Sequence, residues 1–390
     1  MVNTLTLSST PTHNKPISIY VHLPWCIKRC LYCDFNAHQQ PSVLPNKEYY
    51  QQLIKDLDEI TPIIDKRPVT SIFFGGGTPN LCPPWLFSEL LNTIAKRFTL
   101  NNSVEITMEA NPGASHLDTL GAYQKAGINR LSIGVQSFNS QHLQLLGRIH
   151  DPKDALAMVE HAHTIGFNSI NIDIMYGLPL QTTKESISDV EQALALPIDH
   201  LSWYHLTIEP NTYFAKHPPR RADEDTRFIM EENGLSLLKD HQWFRYEVSA
   251  YTKQKKHQST HNLNYWHYGD FLGIGAGAHS KWQDNNNHFR RSQRIRSPKH
   301  YLNAQSTISQ CYLLDTPNIV FEYMLNRLRI PYTVLFQEFA QQTQLNKEII
   351  LPTLQKLKSE SLIKISEQGF HLTEQGWLFL DHCTERFLPS

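Results

Sequence analysis

The chain has 390 residues, of which 40% are hydrophobic and 19% are charged. This composition is typical of a globular protein and excludes a collagen-like, a coiled-coil or a wholly disordered chain. Lysine and arginine total 36 against 37 aspartate and glutamate residues, which gives a net charge of −1. A general nucleic-acid-binding scaffold is usually strongly basic, so nucleic acid is not expected as a partner.

The sequence lacks an apolar run of the roughly 18 residues that a membrane-spanning helix needs, and its first 12 residues lack the pattern of a secretory signal. We therefore expect a cytoplasmic protein, without an integral membrane segment, whose thiols stay reduced. Clustered cysteines in that compartment more often bind a metal or take part in chemistry than form disulfides.

Predicted strands and helices alternate after a polar segment, residues 1–15, which we expect to be a flexible tail. Strands are predicted at 17–21, 71–74, 104–108, 130–133, 169–174 and 200–205. Helices are predicted at 47–60, 84–97, 116–125, 152–165 and 183–194, with Asp151 as the cap of the fourth. This alternation indicates an α/β fold with parallel strands, either as an open barrel or as a doubly wound sheet.

Each predicted strand ends in polar or glycine-rich sequence. These segments are residues 25–33, 75–79, 109–112, 134–137, 176–179 and 205–207. In a parallel α/β barrel the carboxyl ends of the strands share one face, and active sites lie there. The six segments are therefore expected to surround one site.

The rest of the chain predicts two further parts. A helix (223–239) and a strand (243–249) precede an aromatic, glycine-rich segment, 261–280. From 311 onwards, the sequence predicts helices near 320–328, 333–341 and 347–358, a short β-hairpin and a last helix (374–383), which are typical of a winged-helix-like module. The 7 basic and 9 acidic residues of this module favour a packing role over DNA binding. The predicted organisation is a tail (1–15), a barrel core (16–210), an extension that completes the barrel (211–310) and the module (311–390).

Three of the six cysteines, Cys26, Cys30 and Cys33, form a C-x3-C-x2-C pattern. Three thiolates in one loop can hold three irons of a [4Fe–4S] cluster and leave the fourth iron open to a substrate or cofactor. Two alternatives stay open: three unrelated thiols, or a zinc site completed by His22 or His38. The remaining cysteines are isolated in sequence: Cys82, Cys311 and Cys383.

This cysteine pattern after the first strand, with the glycine triplet Gly75–Gly77 after the second, resembles the radical S-adenosylmethionine (SAM) superfamily. The resemblance implies a partial (β/α)6 barrel, with the cluster on Cys26, Cys30 and Cys33. In that superfamily the open iron binds SAM, and an electron from the cluster cleaves it to methionine and a 5′-deoxyadenosyl radical. From about residue 16 onwards the chain looks like the oxygen-independent coproporphyrinogen III oxidase family, on the segments 20–26, 75–79, 130–138 and 171–179.

The same resemblance implies a set of SAM contacts whose chemistry suits that ligand. Glycines let backbone groups approach closely, carboxylates suit an ammonium, ribose hydroxyls or a sulfonium, and an arginine suits a carboxylate. For Glu109 and Asp173 a helix cap or a salt bridge is the alternative, and for Gly75–Gly77 a bare turn. The implied contacts are Tyr20, Tyr32, Gly76, Gly77, Thr78, Glu109, Gln136, Arg148 and Asp173.

Two features separate the chain from the oxidases. Members of the oxidase family carry a further cysteine two residues after the third ligand, where this chain has Phe35. Residues 261–266 read H-N-x-x-Y-W, which resembles the signature of the heme-chaperone branch of the family. That branch binds heme, a cluster and SAM and passes heme to acceptor proteins. The implied heme contacts are His261, Asn262, Tyr265 and Trp266.

Three functions therefore compete: a heme chaperone, a coproporphyrinogen oxidase and a redox-sensing cluster protein. The first is favoured, no residue is assigned a catalytic role, and whether the chain is an enzyme stays open. The expected partners are heme and an acceptor hemoprotein, such as one of the respiratory chain, and a homodimer is left open. The basic run 290–299 is predicted to be a solvated face, and pairing with heme propionates is the alternative. Gly273–Gly277 is predicted to be a place where the backbone approaches a neighbour closely, near adenosine.

Overall fold

The computed structural model describes residues 15–64 and 67–389, so the tail predicted for residues 1–15 lies outside the described residues apart from Lys15. The strands that build the main sheet and its cysteine loop are, in chain order, β1 (Ile17–Leu23), β2 (Trp25–Cys26), β3 (His38–Gln39), β4 (Pro68–Gly76), β5 (Thr99–Ala110), β6 (Arg130–Gln136), β7 (Ser169–Tyr176), β8 (His200–His205), β9 (Phe244–Glu247), β10 (Ala250–Thr252), β11 (Asp270–Ile274), β12 (His279–Gln283), β13 (Phe289–Arg294) and β14 (Ile308–Leu313). All six predicted barrel strands are present.

The helices alternate with these strands as predicted. They are α1 (Asn46–Ile64), α2 (Pro84–Arg97), α3 (Thr119–Lys125), α4 (Ser140–Leu146), α5 (Pro152–Ile165), α6 (Thr183–Ala195), α7 (Tyr213–Lys216), α8 (Glu224–Asp240), α9 (Thr260–Trp266), α10 (Pro298–Leu302), α11 (Thr316–Arg327), α12 (Phe336–Thr343), α13 (Leu351–Ser359), α14 (Glu374–Leu378) and α15 (Leu380–Glu385). Helix α4 is the one between the barrel strands that the sequence patterns missed. Among residues 15–64 and 67–389, every helix is too short or too polar to cross a lipid bilayer.

Twelve strands form one sheet in the order β14-β13-β12-β11-β1-β4-β5-β6-β7-β8-β10-β9. The seven central strands, from β11 to β8, are parallel, and the flanking strands are antiparallel. Strands β1, β4, β5, β6, β7 and β8 lie side by side in chain order, so their crossovers progress in one direction, as in a barrel, whereas a doubly wound sheet reverses direction. Because β14 and β9 end this order at opposite edges, the barrel is partial. The α/β fold class with a partial barrel is thereby confirmed, and the doubly wound alternative is wrong.

Strand β11 is a seventh parallel strand that the sequence did not predict. It lies in the aromatic, glycine-rich segment and pairs with β1, with Ile17 opposite Asp270 and Val21 opposite Ile274. Four of its five residues are buried. A strand buried on both faces lacks the polar alternation that marks a strand in sequence, so only the pairing identifies it.

Local sequence signals set the helix bounds where they are strong. Asp151 caps α5 in a capping box with Asp154, and Pro152 occupies the first helical turn. Gly166 ends α5 with φ +85°, a left-handed conformation that glycine adopts without a steric penalty. The predicted cap and both predicted ends of this helix are confirmed.

The C-terminal residues form a second hydrophobic core that includes Tyr323, Phe339 and Phe370. A three-stranded sheet in the order β15-β17-β16 covers it, with β15 at Val334–Leu335, β16 at Ile363–Ile365 and β17 at Gly369–Leu372. Two predicted helix bounds were wrong. Val334 and Leu335 pair with β17 instead of starting a helix, and the last helix divides at Phe379, whose φ of −110° and ψ of 37° are not helical.

Candidate cofactor site at the strand ends

A cavity of about 470 Å³ opens at the carboxyl ends of the parallel strands. Its wall takes residues from the cysteine loop after β1 and from the ends of β4, β5, β6 and β8, together with residues of β7. Five of the six predicted strand-end segments line this cavity; the exception is 176–179, in whose place Asn171, Asp173 and Met175 of β7 line it. This convergence follows from the parallel sheet, because every crossover returns the chain to the same edge.

Most of the residues singled out in the sequence line this first cavity. They are Cys26, Cys30, Tyr32, Cys33, Gly76, Gly77, Thr78, Glu109, Gln136, Arg148, Asp173 and Asn262. A second cavity, of about 580 Å³, adjoins it and shares Phe35, Gly76 and Glu109 with it. Tyr20 and Tyr265 line this second cavity, whereas His261 and Trp266 line neither.

The cysteine loop is held in shape by hydrogen bonds within it and by the pairing of the short strands β2 and β3. Cys26 is buried and pairs across β2 and β3 with Gln39. Cys33 N donates to the Cys30 carbonyl at 3.3 Å, and Arg29 donates to the Cys33 carbonyl at 2.8 Å. Burial, together with the neighbouring thiols, raises the pKa of Cys26 to about 11. A thiolate here at neutral pH therefore needs a cationic partner such as a metal.

The histidines proposed for a zinc site are engaged elsewhere. His22 bonds through Nδ1 to the Tyr20 hydroxyl at 2.9 Å and through Nε2 to the Asn36 carbonyl at 3.0 Å. His38 Nε2 lies 3.2 Å from Asn36 Oδ1. Three thiols in one loop suit a cluster, in which each thiolate binds a different iron, better than zinc, which needs four ligands around one ion. By ligand type the three thiols thus fit a [4Fe–4S] cluster, although in the described part of the chain no three His, Cys, Asp or Glu side chains are grouped closely enough to hold a metal ion.

The glycine triplet is a close approach to the cysteine loop rather than a bare turn. Gly76 has φ +117°, and a Cβ atom there would lie 2.5 Å from the His22 ring. A Cβ atom at Gly77 would clash with the backbone carbonyl of Trp25. Thr78 N donates to that same carbonyl at 2.7 Å. Glycine is required here because the turn and the cysteine loop are in backbone contact.

Two carboxylates face the first cavity without capping a helix. Glu109 accepts a hydrogen bond from Gly76 N at 3.0 Å. Removal from bulk water, and to a lesser extent the charge of Asp173, raises its pKa to about 7. Burial also raises the pKa of Asp173, opposed mainly by a hydrogen bond from Asn171. Burial that raises a carboxyl pKa also favours binding of a cation, which would restore the charged form.

This shift predicts that binding of a cationic ligand at Glu109 depends on pH. Below about pH 7 the carboxyl takes up a proton, so affinity for SAM, the cationic ligand that the sequence resemblance implies, should fall by up to about tenfold between pH 7 and pH 6. The folded state binds this proton more tightly than the unfolded chain, so the contribution of Glu109 to stability falls as pH rises from 4.5 to 7. Equilibrium dialysis with the cluster-loaded protein measures the affinity. Glu109→Gln should remove this pH dependence, and an unchanged profile in that variant would contradict the assignment.

Arg148 connects the cysteine loop to the barrel. Its Nη1 lies 3.4 Å from Cys30 Sγ, and its Nη2 donates to the Gly134 carbonyl at 2.7 Å and to Asn111 Oδ1. The guanidinium is thereby held beside the cysteines. Sequence reasoning missed several other residues of the cavity wall, among them Arg130, Ser132, Asn171 and Tyr204. Asn171 was detectable, because it precedes Asp173 by two positions and so shares its face of β7.

The H-N-x-x-Y-W segment forms α9, and its four marked side chains do not meet on one surface. His261 is 1% exposed, with Nδ1 2.9 Å from Ser71 Oγ and Nε2 3.0 Å from the Tyr265 hydroxyl. Burial lowers its pKa to about 3, so the imidazole is neutral. Asn262 faces the first cavity and Tyr265 the second. Trp266 packs instead under the guanidinium of Arg329.

The prediction of a solvated face was wrong for part of the basic run: Arg296 and Lys299 are exposed, but the arginines of β13 pair with acidic residues. Arg294 is fully buried and pairs with Asp56 of α1. Arg291 pairs with Glu322 of α11. These acids lie far away in sequence, which is why the run looked unpaired.

The glycine-rich segment makes the expected close backbone approach, although its partner is protein. A Cβ atom at Gly275, whose φ is +100°, would clash with the carbonyl of His22 on β1.

Comparison with known proteins identifies the family. The radical SAM superfamily model matches residues 20–190, and the HemN C-terminal domain model matches residues 314–379. Among solved structures, the coproporphyrinogen III oxidase (HemN) of Escherichia coli, described as a radical SAM enzyme, superposes with a TM-score of 0.82 at 23% identity, covering 97% of this chain and 91% of that one. This likeness shows that the fold is shared over almost the whole chain.

Curated relatives are closer in sequence. The heme chaperone HemW of Escherichia coli is 40% identical over 377 residues, which cover 96% of this chain and 99% of that protein. HemW of Haemophilus influenzae is also 40% identical, over 96% of this chain and 98% of that protein. The mouse radical S-adenosyl methionine domain-containing protein 1, a mitochondrial protein, is 31% identical over 96% of this chain and 87% of its own length. On this similarity, the chain belongs to the HemW family of the radical SAM superfamily.

Proposed function

We propose that this protein is a heme chaperone that binds a [4Fe–4S] cluster, SAM and heme and transfers heme to acceptor hemoproteins. The observation that carries the proposal is 40% identity, over 96% of the chain, to two proteins named heme chaperones. Identity to the oxidase structure is only 23% over a similar length. We also propose a cytoplasmic location and an acceptor such as a respiratory-chain hemoprotein. The proposed domains of the chain begin at residues 16, 211 and 311.

Cys26, Cys30 and Cys33 would hold the cluster, and the remaining residues of the first cavity would bind SAM. The cluster, when bound, supplies an open iron and an electron. Glu109 and Asp173 offer acceptors to cationic groups and hydroxyls, and the Gly76–Thr78 turn admits a ligand close to the backbone. The other proposed SAM contacts are Tyr20, Tyr32, Gln136 and Arg148.

Phe35 supports the chaperone over the oxidase. It stands where the oxidase family has a cysteine, is 60% exposed and contributes to both cavities. A phenyl ring has neither the redox chemistry nor the metal affinity of a thiol. At the same place it offers an apolar surface to a flat macrocycle.

The proposed heme contacts are His261, Asn262, Tyr265 and Trp266, and His261 would be the iron ligand. Because both of its ring nitrogens are hydrogen-bonded, ligation through Nε2 requires the Tyr265 hydroxyl to move away. Tyr265 borders the second cavity, and the hydroxyl would move toward that space. Binding of the heme iron would thus replace the hydrogen bond between His261 and Tyr265 with a bond between His261 and iron.

Two anaerobic assays test the function. In the first, cluster-loaded protein is incubated with coproporphyrinogen III, SAM and a reductant, and the chaperone proposal predicts that no protoporphyrinogen forms. In the second, heme is titrated into the protein, followed by its transfer to an apo-hemoprotein. Appearance of protoporphyrinogen would replace the chaperone proposal with the oxidase, and failure to bind heme would refute it outright.

His261 variants test the heme ligand. His261→Ala should weaken heme binding about tenfold or more and change the Soret spectrum, because an axial ligand is lost. Tyr265→Phe keeps the ring and frees Nε2, so it should bind heme at least as tightly as the native protein. His267→Ala, on an exposed histidine next to α9, is the matched control. A heme titration that His261→Ala leaves unchanged would remove His261 as the ligand.

A further inference from the structure

A continuous chain of hydrogen bonds runs through the barrel interior from the start of α9 to the first cavity. It joins Ser259, Tyr246, His200, Asn171 and Asp173, and only Asp173 has been given a role above. The four bonds measure 3.1, 2.7, 2.6 and 2.9 Å in that order. The first four residues are each at most 1% exposed, so water does not compete for these bonds.

The direction of every bond in this chain can be assigned. Ser259 N–H must donate to the Tyr246 hydroxyl, which in turn donates to His200 Nε2. Burial keeps the pKa of His200 well below its usual value, so the ring carries a single proton. Because the amide oxygen of Asn171 faces Nδ1, that proton lies on Nδ1 and Nε2 accepts. Nδ1–H donates to Asn171 Oδ1, and this fixes the amide nitrogen of Asn171 toward Asp173.

The orientation of the Asn171 amide decides whether its nitrogen or its oxygen faces the Asp173 carboxylate. The Asn171 amide nitrogen donates to Asp173 Oδ1 at 2.9 Å and to Ser132 Oγ at 2.8 Å. A reversed amide would place Oδ1 against the carboxylate, where two acceptors repel each other. Ser202 also donates to Asn171 Oδ1, at 3.1 Å, and so supports the observed orientation.

We propose that His200 is a positioning residue that sets the Asn171 amide so that Asp173 stays oriented into the first cavity to bind a hydroxyl or cationic group of SAM. The inference rests on the proposed function, since it takes SAM as the ligand. Hydrogen bonds aligned in one direction polarise one another, so the chain as a whole supports the charge on Asp173. His200 itself does not line the cavity.

Other charged and titratable groups around Asp173 affect its pKa. Arg130 on β6 lowers its pKa, and Glu109 on β5 and Tyr204 on β8 are coupled to it electrostatically. His200 variants leave these three groups in place. A pH profile therefore separates loss of the hydrogen-bond chain from a general loss of structure.

The test uses cluster-loaded full-length protein with SAM as the probe. His200→Leu should weaken SAM binding by about tenfold. In a Glu109→Gln background, which removes the titration of Glu109 near pH 7, it should also move the remaining acidic limb of the pH profile to higher pH, because Asp173 loses the support of an oriented donor. His200→Asn, which keeps a donor near the position of Nδ1, should recover most of the affinity. His142→Leu, at a buried histidine outside both cavities, is the matched control and should leave affinity and profile unchanged.

Tyr246→Phe provides a second route if His200→Leu does not fold. It removes one hydroxyl and lets His200 change tautomer, so a smaller shift in the same direction is expected. Unchanged affinity and pH profile in a folded His200→Leu or Tyr246→Phe protein would overturn the positioning role alone. Failure of the native, cluster-loaded protein to bind SAM would instead refute the proposed function, and this inference with it.

Discussion

Cys30→Ser is expected to abolish the iron–sulfur absorbance of the anaerobically reconstituted protein and, with it, SAM binding. A serine hydroxyl stays protonated at neutral pH and does not replace a thiolate on iron. With only three cysteines in the loop, losing one leaves two protein ligands for the cluster. Iron content, absorbance and SAM affinity measure the effect.

The matched control is Cys311→Ser, at an exposed cysteine on β14, which should retain the full cluster. Cys30 is only partly buried, so thermal unfolding of the cluster-free protein should change little in either variant. Retention of a full cluster by Cys30→Ser would refute the assignment of the three thiols.

Gly77→Ala should destabilise the protein and disable the site together. The added methyl group meets the Trp25 carbonyl, and backbone atoms cannot turn aside as a flexible side chain can. We expect a loss of about 1–3 kcal/mol in the free energy of unfolding, the usual cost of overpacking. The displaced cysteine loop should also weaken SAM binding, which denaturant titration and equilibrium dialysis measure together.

Gly121→Ala is the control for this substitution. It lies in α3, where an added Cβ atom meets nothing within 4 Å. An alanine there should be neutral or stabilise the protein by up to about 1 kcal/mol, because glycine is unfavourable within a helix. Equal stability of the two variants would contradict the backbone contact between the glycine triplet and the cysteine loop.

Much of the site was predictable because its signals are local. Six parallel strands, the cap of α5, the cysteine loop and the glycine triplet each follow from residues close together in sequence. The parallel topology then requires the strand ends to share one face, so the composition of the first cavity followed as well. The predicted start of a helix was wrong at Val334, because pairing with a distant strand overrides the local helix propensity there.

Other features depend on partners that are distant in sequence. Strand β11 exists because it pairs with β1, about 250 residues earlier, as the register of Ile17 with Asp270 records. Arg294 is buried because Asp56 is brought to it. His261 looked like an available ligand until Ser71 and Tyr265 proved to occupy both of its nitrogens.

The sequence by itself determined the alternation of strands and helices and, through the resemblance that the cysteine pattern and glycine triplet carry, the family and its partial barrel; it predicts an incomplete set of three cysteine ligands. These inferences depend on spacing along the chain, which folding does not alter. Only the tertiary structure decided which buried polar groups satisfy one another, because a buried donor or acceptor must find a partner wherever the fold provides one. The directional chain from Ser259 to Asp173 is such a case, since its members are drawn from four separate segments of the sequence.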